Sequence, residues 1–235
     1  MGTAARVGKI GAGIVLALGM TAPAFAAGTS IVVPDDFDSS LSDTRATGHY
    51  EVDGTSLHIW TEGATSNDKV AEYVTTDTPL ADVGEPSLEY TSNAGIAPGF
   101  QLVVDFDNDG ESDGILVGEP IYNGGWWLTD SAAQFVKDGA PSHAGGSGSA
   151  NHGTLDQWRE AFPDANVVAF GFSLGSGVKG DGVINAIEFA GDRYTFSADV
   201  VLTGKDDCKK GGWATSTTPE FANQGDCVSY FATAK

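Results

Sequence analysis

Residues 99–129 read GFQLVVDFDNDGESDGILVGEPIYNGGWWLT. QLVVDF has the length and the β-branched, apolar content of a strand, DNDG is a turn signal, and GILVGEP returns as a second strand. The stretch therefore predicts a hairpin, with Asp105, Asp107, Asp109 and Asp113 crowded at its turn and Trp126 and Trp127 shortly after it.

The same texture continues on both sides. Upstream, HYEVDG, SLHIWTEG, DKVAEYVTT and SLEYTS alternate or nearly alternate, and Asp53-Gly54 and Glu85-Pro86 bound them. Downstream, residues 138–153, DGAPSHAGGSGSANHG, hold no apolar residue larger than alanine and proline and read as a surface loop. One helix follows. Thr154 can cap it with Gln157 three residues on, Leu155, Trp158 and Phe162 share a face, and Pro163 stops it. ANVVAFGFS at 165–173 is a long apolar strand, and VINAIEF and DRYTFSADVVL make a final hairpin around Ala190-Gly191-Asp192. Many short strands with one short helix, and no βαβ alternation, predict an all-β chain built as an antiparallel β-sandwich.

The ends read differently. Arg6 and Lys9, an apolar run from Ile10 to Met20 and the Ala24-Phe25-Ala26 site give residues 1–26 the pattern of a signal peptide, and no stop-transfer flank follows the run. A secreted, extracellular chain of 209 residues is expected after cleavage, from 235 less 26, with no membrane attachment. Residues 27–47 are expected to be an extended leader, 48–202 the β-sandwich domain, 203–207 (TGKDD) a linker, and 208–235 a small Cys-flanked segment. Without Arg6 and Lys9, 10 of the 12 basic residues remain against 32 acidic ones, a net charge of −22. Such a charge repels nucleic acid and anionic membrane surfaces and favours solubility. Cys208 and Cys227 are the two cysteines. An even count in an exported chain predicts that they pair, closing a loop worth roughly 3 kcal/mol in the chain-entropy picture.

The tail, with Cys-Lys-Lys-Gly-Gly-Trp from 208 and Phe-Ala-Asn-Gln-Gly-Asp-Cys-Val-Ser from 221, resembles a short Cys-flanked segment that closes many secreted proteins of Gram-positive bacteria. The main domain, in SLHIWTEG and GVINAIEFAGDRYTF, resembles jelly-roll modules of the carbohydrate-binding or laminin-G type. That resemblance implies a jelly-roll-like sandwich. It assigns no residue a role.

Three patterns bear on chemistry. Along a strand Asp105 and Asp107 share a face, Asp109 continues the spacing, and Gly110 permits a sharp turn. Clustered hard oxygen ligands suit Ca²⁺, which takes about six to eight of them. The first six positions match an EF-hand loop, but the twelfth is Leu116 and the flanks are strands, so an EF-hand is excluded. The alternative is a plain acidic turn whose carboxylates face water. Gly171-Phe172-Ser173-Leu174-Gly175 matches the G-x-S-x-G nucleophile elbow, yet all four histidines (49, 58, 143 and 152) precede Ser173 and a glycine-rich run follows it, so no catalytic residue is assigned there. No Lys-Ser/Thr follows at P-loop spacing either. Lastly, one of two adjacent strand residues faces inward, so one of Trp126 and Trp127 belongs to the core and the other, with Tyr122, is a candidate platform for sugar rings.

The function expected from these readings is a secreted, non-catalytic module binding a glycan or cell-surface polymer, with Ca²⁺ as a structural cofactor the acidic loop admits. An extracellular hydrolase of glycosidase type and a structural or interaction protein of the cell wall are the alternatives.

Overall fold

The computed structural model of the chain describes residues 28–145 and 148–233. The expected signal peptide lies outside them. The chain is mostly β, with two six-stranded sheets and a Cys208–Cys227 disulfide. The strands are β1 (Thr29–Val33), β2 (Gly48–Asp53), β3 (Ser56–Thr61), β4 (Lys69–Pro79), β5 (Ser87–Gly95), β6 (Gly99–Asp105), β7 (Gly114–Gly118), β8 (Gly125–Leu128), β9 (His152–Thr154), β10 (Asn166–Gly175), β11 (Gly180–Phe189) and β12 (Asp192–Ala198). The α-helices are α1 (Gln134–Asp138), α2 (Leu155–Ala161) and α3 (Gln224–Thr233).

In the first sheet β11 is the axis. It pairs with β5 along one edge, and along the other with β3 over Asp181–Ile184 and β12 over Ile187–Phe189; β2 lies outside β3. The second sheet runs β4-β10-β6-β7-β8-β9, antiparallel throughout. The hairpin expected at 99–118 is present, with Val104 opposite Gly114. The β11–β12 turn places Ala190 (φ 53°) and Gly191 (φ 86°) both in the left-handed region, the two-residue geometry that suits a twisted hairpin.

Side chains from both sheets meet in one core. Ile31, Leu57, Ile59, Ile184 and Phe196 of the first sheet belong to the same buried cluster as Val70, Leu102, Leu116, Phe170 and Phe172 of the second. Phe170 of β10 stacks on Phe189 of β11 with ring centroids 4.2 Å apart, a contact worth roughly 1 kcal/mol beyond its buried area. α2 closes one end. Trp158 is fully buried against Phe106, with Phe162 beside them, and its Nε1–H donates to the Trp126 carbonyl at 3.1 Å.

Three expectations need correction. The 27–47 segment is more than a leader: residues 29–33 form β1, which joins β12 in parallel and buries Ile31 and Val33. The first sheet is therefore mixed and not purely antiparallel. Beyond β1 the chain runs along the outer edge of β4, where the N–H groups of Asp38, Asp43 and Arg45 donate to the carbonyls of Tyr73, Ala71 and Lys69, and Leu41 packs over Tyr73, Val103 and Ala169 on the sheet's outer face. The single expected helix, α2, has the predicted capping box: Gln157 N–H donates to Thr154 Oγ1, and Gln157 Oε1 accepts from Thr154 N–H. Two further helices join it. α1 is a short turn of helix before the 138–153 loop, and that loop carries β9 and a bridge from Ser142 to His152. α3 occupies the Cys-flanked tail.

Candidate functional site

The acidic turn and the segment that follows it are the two places where chemistry could gather. β6 ends at Asp105, which is 1% exposed. Its Oδ1 accepts the Asp109 N–H at 3.2 Å and its Oδ2 the Gly110 N–H at 2.8 Å, so a buried carboxylate folds the loop back over itself. Asn108 (φ 58°) and Gly110 (φ 98°) supply the left-handed backbone this needs. Asp113 works from the other end: its Oδ2 accepts the Phe106 N–H at 2.8 Å, and its own N–H donates to the Val104 carbonyl. Carboxylate oxygens of Asp105, Asp107 and Asp109 come within 4.8 Å of one another. The structure thus brings three of the four predicted aspartates into one cluster and sets Asp113 apart as a backbone staple. The Asp107 carboxyl is pushed above the ordinary carboxylate range, by desolvation in the loop and then by the charges of Asp109, Asp113 and Asp105. A divalent cation would relieve that repulsion, and the three carboxylates are hard oxygen donors of the kind Ca²⁺ takes.

From β7 the chain passes Glu119, a 3₁₀ turn at Pro120–Tyr122, then Asn123 and Gly124, and enters β8. β8 alternates as a strand must: Trp126 and Leu128 are buried and Trp127 faces the other way. Trp126 is the core member of the pair, 5% exposed, edge-on to Phe100 at 6.0 Å. Gly118 makes room for it, because a Cβ there would stand 2.8 Å from the ring. Trp127 is half-buried, and Gly148 lies against its ring so closely that a Cβ at that position would stand 2.6 Å away. Its Nε1–H has no hydrogen-bond partner among the described residues. The platform is therefore partly covered, and Tyr122 is half-buried like Trp127, next to Ile121, which is 80% exposed.

Two hollows flank this segment. A cleft of about 450 Å³ is lined by Glu85, Tyr90, Phe100, Glu119, Pro120 and Trp126, among others. A groove of about 260 Å³ is lined by Ile121, Tyr122, Asn123, Trp126, Trp127 and His152, among others. Burial pushes the Glu119 carboxyl up, and the neighbouring Tyr122 hydroxyl opposes that shift. Glu85, which also lines this cleft, is 3.4 Å from Arg159 Nη1. Sequence reasoning missed Tyr90, Phe100, Glu85 and Glu119. The prolines at 86, 98 and 120 punctuate the three segments that supply them, and that was the available signal.

Ser173 lies inside β10, paired with Ala71 and Gly99, and the chain proceeds to β11 without an intervening helix. A nucleophile elbow leads from strand to helix, and here strand follows strand. No protein-family model matches the chain, and no curated protein or solved structure is significantly similar to it.

Proposed function

We propose that the chain is a secreted, non-catalytic β-sandwich module that holds an extended glycan or cell-surface polymer across the 119–127 rim. The observation that carries this reading is the convergence of Tyr122, Trp126 and Trp127 on one short segment with a hollow on either side. Ring faces and edges, amide and carboxylate groups and two neighbouring hollows suit a polyhydroxylated chain with apolar ring faces. In this reading the two sheets sharing one core form a jelly-roll-like sandwich, and Ca²⁺ sits in the Asp105, Asp107 and Asp109 loop as a structural ion. Export is consistent with the disulfide and with the absence of a helix, among the described residues, long and apolar enough to cross a membrane.

The test is affinity electrophoresis and calorimetry against a panel of bacterial and plant polysaccharides. Tyr122→Ala and Trp127→Ala are expected to weaken binding at least tenfold with the fold intact. Trp126→Ala is unsuitable, because removing so buried an indole costs about 3–5 kcal/mol of stability. A panel with no binder would overturn the proposal. The presence of Glu119 and Glu85 in one cleft favours a second reading, a glycoside hydrolase with Glu119 as the protonated acid. Release of reducing sugar that is lost in Glu119→Gln would select that reading over the first.

A further inference from the structure

β5 is an edge strand, and its edge is open. It pairs with β11, and no other strand among the described residues lies beside it. The direction of its backbone groups follows from the β11–β12 turn. With two residues in that turn, Phe189 and Asp192 close it as a hydrogen-bonded pair. Bonded and non-bonded pairs alternate along β11, so Ala186 and Glu188 present their N–H and C=O groups to Glu89 and Ser87 of β5. Leu88 and Tyr90, the alternate residues, therefore turn their backbone groups outward, and among the described residues no loop hydrogen-bonds to them. Natural edges are usually guarded by lysine, proline or short length. β5 runs for nine residues with neither lysine nor proline, and its own bulge, at Asn93, lies beyond Leu88 and Tyr90.

The side chains of the same two residues pack towards the core and line the 450 Å³ cleft, whose lining continues with Phe100, Gly118 and Trp126 of the second sheet. Open edge and cleft therefore adjoin. A strand laid along Leu88 and Tyr90 would bond to their backbone and send every second side chain towards the gap between the sheets. Glu89, the residue between them, is exposed on the other face. Its carboxylate accepts from Arg193 Nε at 2.9 Å and Nη2 at 2.6 Å, and Arg193 Nε also lies 3.5 Å from Glu188. Two carboxylates thus share one guanidinium. Desolvation, and then the closeness of Glu89, push the Glu188 carboxyl up. The cleft adds Glu85 and Glu119, and no lysine or arginine lines it.

We propose that β5 is a docking edge for an extended, basic peptide segment of a partner protein, which joins the first sheet as a further strand with apolar side chains in the cleft and alternate lysine or arginine side chains beside Glu89. Main-chain hydrogen bonds to Leu88 and Tyr90 supply affinity, and the cleft selects the apolar side chains. The peptide brings the second cation that Glu89 and Glu188 lack. A second copy of this chain suits the edge poorly, because each copy carries a net charge of −22 without Arg6 and Lys9, and pairing two β5 edges would add Glu89 to Glu89. Neither Tyr122 nor Trp127 takes part, so the docking edge stands or falls apart from the polymer reading above.

The experiment is calorimetry and amide hydrogen exchange of the full mature chain with nonapeptides that alternate lysine with valine, with leucine and with phenylalanine. One control is each peptide N-methylated at every second residue, which keeps charge and apolar content but removes the donors on one edge. The other replaces lysine by glutamate. At least one lysine peptide is expected to bind and to slow exchange of the Leu88 and Tyr90 N–H groups at least tenfold. N-methylation should weaken it at least tenfold, the loss of several main-chain hydrogen bonds. The glutamate peptide should not bind. Glu89→Gln, an exposed substitution, should weaken the lysine peptide about threefold, and an unchanged exchange pattern elsewhere shows that the variant is folded. No binding across the panel, equal binding of the N-methylated or glutamate peptides, or indifference to Glu89→Gln would each overturn the proposal. So would a dimer in sedimentation that already protects the Leu88 and Tyr90 amides without peptide.

Discussion

Asp105 gives both carboxylate oxygens to backbone N–H groups and is almost wholly buried, whereas Asp107, two residues on, faces water and is crowded by its neighbours' charges. Substitution separates these roles. Asp105→Ala removes the acceptor that holds the Asp109 and Gly110 N–H groups and empties a buried site, and is expected to cost about 1–3 kcal/mol with or without a cation. Asp107→Ala removes only repulsion in the metal-free protein and is expected to leave the melting temperature unchanged or slightly raised. If Ca²⁺ binds the folded loop, stability rises as RT ln(1 + [Ca²⁺]/Kd), about 2.7 kcal/mol at a hundredfold excess over Kd. Extracellular calcium sites are often weak, on the order of 10⁻⁴ to 10⁻³ M, so millimolar calcium should raise the melting temperature by a few degrees. A chelator should undo the rise. Magnesium at equal ionic strength controls for screening of so acidic a chain, and Asp107→Ala with Asp109→Ala should abolish the calcium-specific part. A melting curve that responds equally to both ions would identify the loop as an ordinary acidic turn.

At the scale of elements, local pattern was legible wherever it alternated over several residues between turn signals. SLHIWT, the 99–118 hairpin and the β10 run lie close to where their sequences place them. The helix start at Thr154 was legible because a capping box is a local device. Its contribution can be measured: Thr154→Ala should cost about 1 kcal/mol in urea unfolding and leave the m-value unchanged. A negligible loss would mean that Trp158 packing alone holds α2. The elements that were missed depend on partners far away in the chain. TSIVV becomes a strand because β12 offers it an edge, and nothing in its Ser/Thr/Asp-rich neighbourhood announces that pairing. α3 did have a local signal: Asn223 Oδ1 accepts the Asp226 N–H at 3.0 Å, and Asn223 Nδ2 donates back to Asp226 at 2.8 Å. An asparagine three residues before an acidic residue is a helix-start pattern, and it lies inside the Cys-flanked segment. The candidate sites follow the same division. The aspartate cluster and the Trp pair are contiguous and could be read directly, whereas the cleft beside Glu119 joins β5 of one sheet to β6, β7 and β8 of the other, which only the folded chain brings together.

At the scale of the whole molecule, the two sheets end with β12 at Ala198, and the chain beyond them carries the disulfide and α3. Cys208 is joined to Cys227 across 19 residues, and both half-cystines are fully buried within a piece that otherwise exposes most of its surface. Phe221, Tyr230 and Phe231 form its aromatic cluster. Its recorded hydrogen bonds to the body are few: the Thr217 N–H donates to the Val200 carbonyl at 3.0 Å, the Val200 N–H to Thr217 Oγ1 at 2.6 Å, and the hydroxyls of Thr217 and Thr218 reach Asp199 and Asp35. A unit of this size cannot bury enough apolar surface to order itself, so the roughly 3 kcal/mol that cross-linking removes from the unfolded chain's entropy should decide whether it is folded at all. The body should be indifferent, because its core contains no residue of the tail. Reduction, or Cys208→Ser with Cys227→Ser, is therefore expected to open the 203–233 region to limited proteolysis while the main thermal transition moves by no more than about 2 °C. Mass spectrometry of the fragments would place the cuts. A cooperative loss of both units on reduction would contradict this, showing that the Thr217 and Thr218 contacts weld the tail to β1 and β12 strongly enough to make one folding unit.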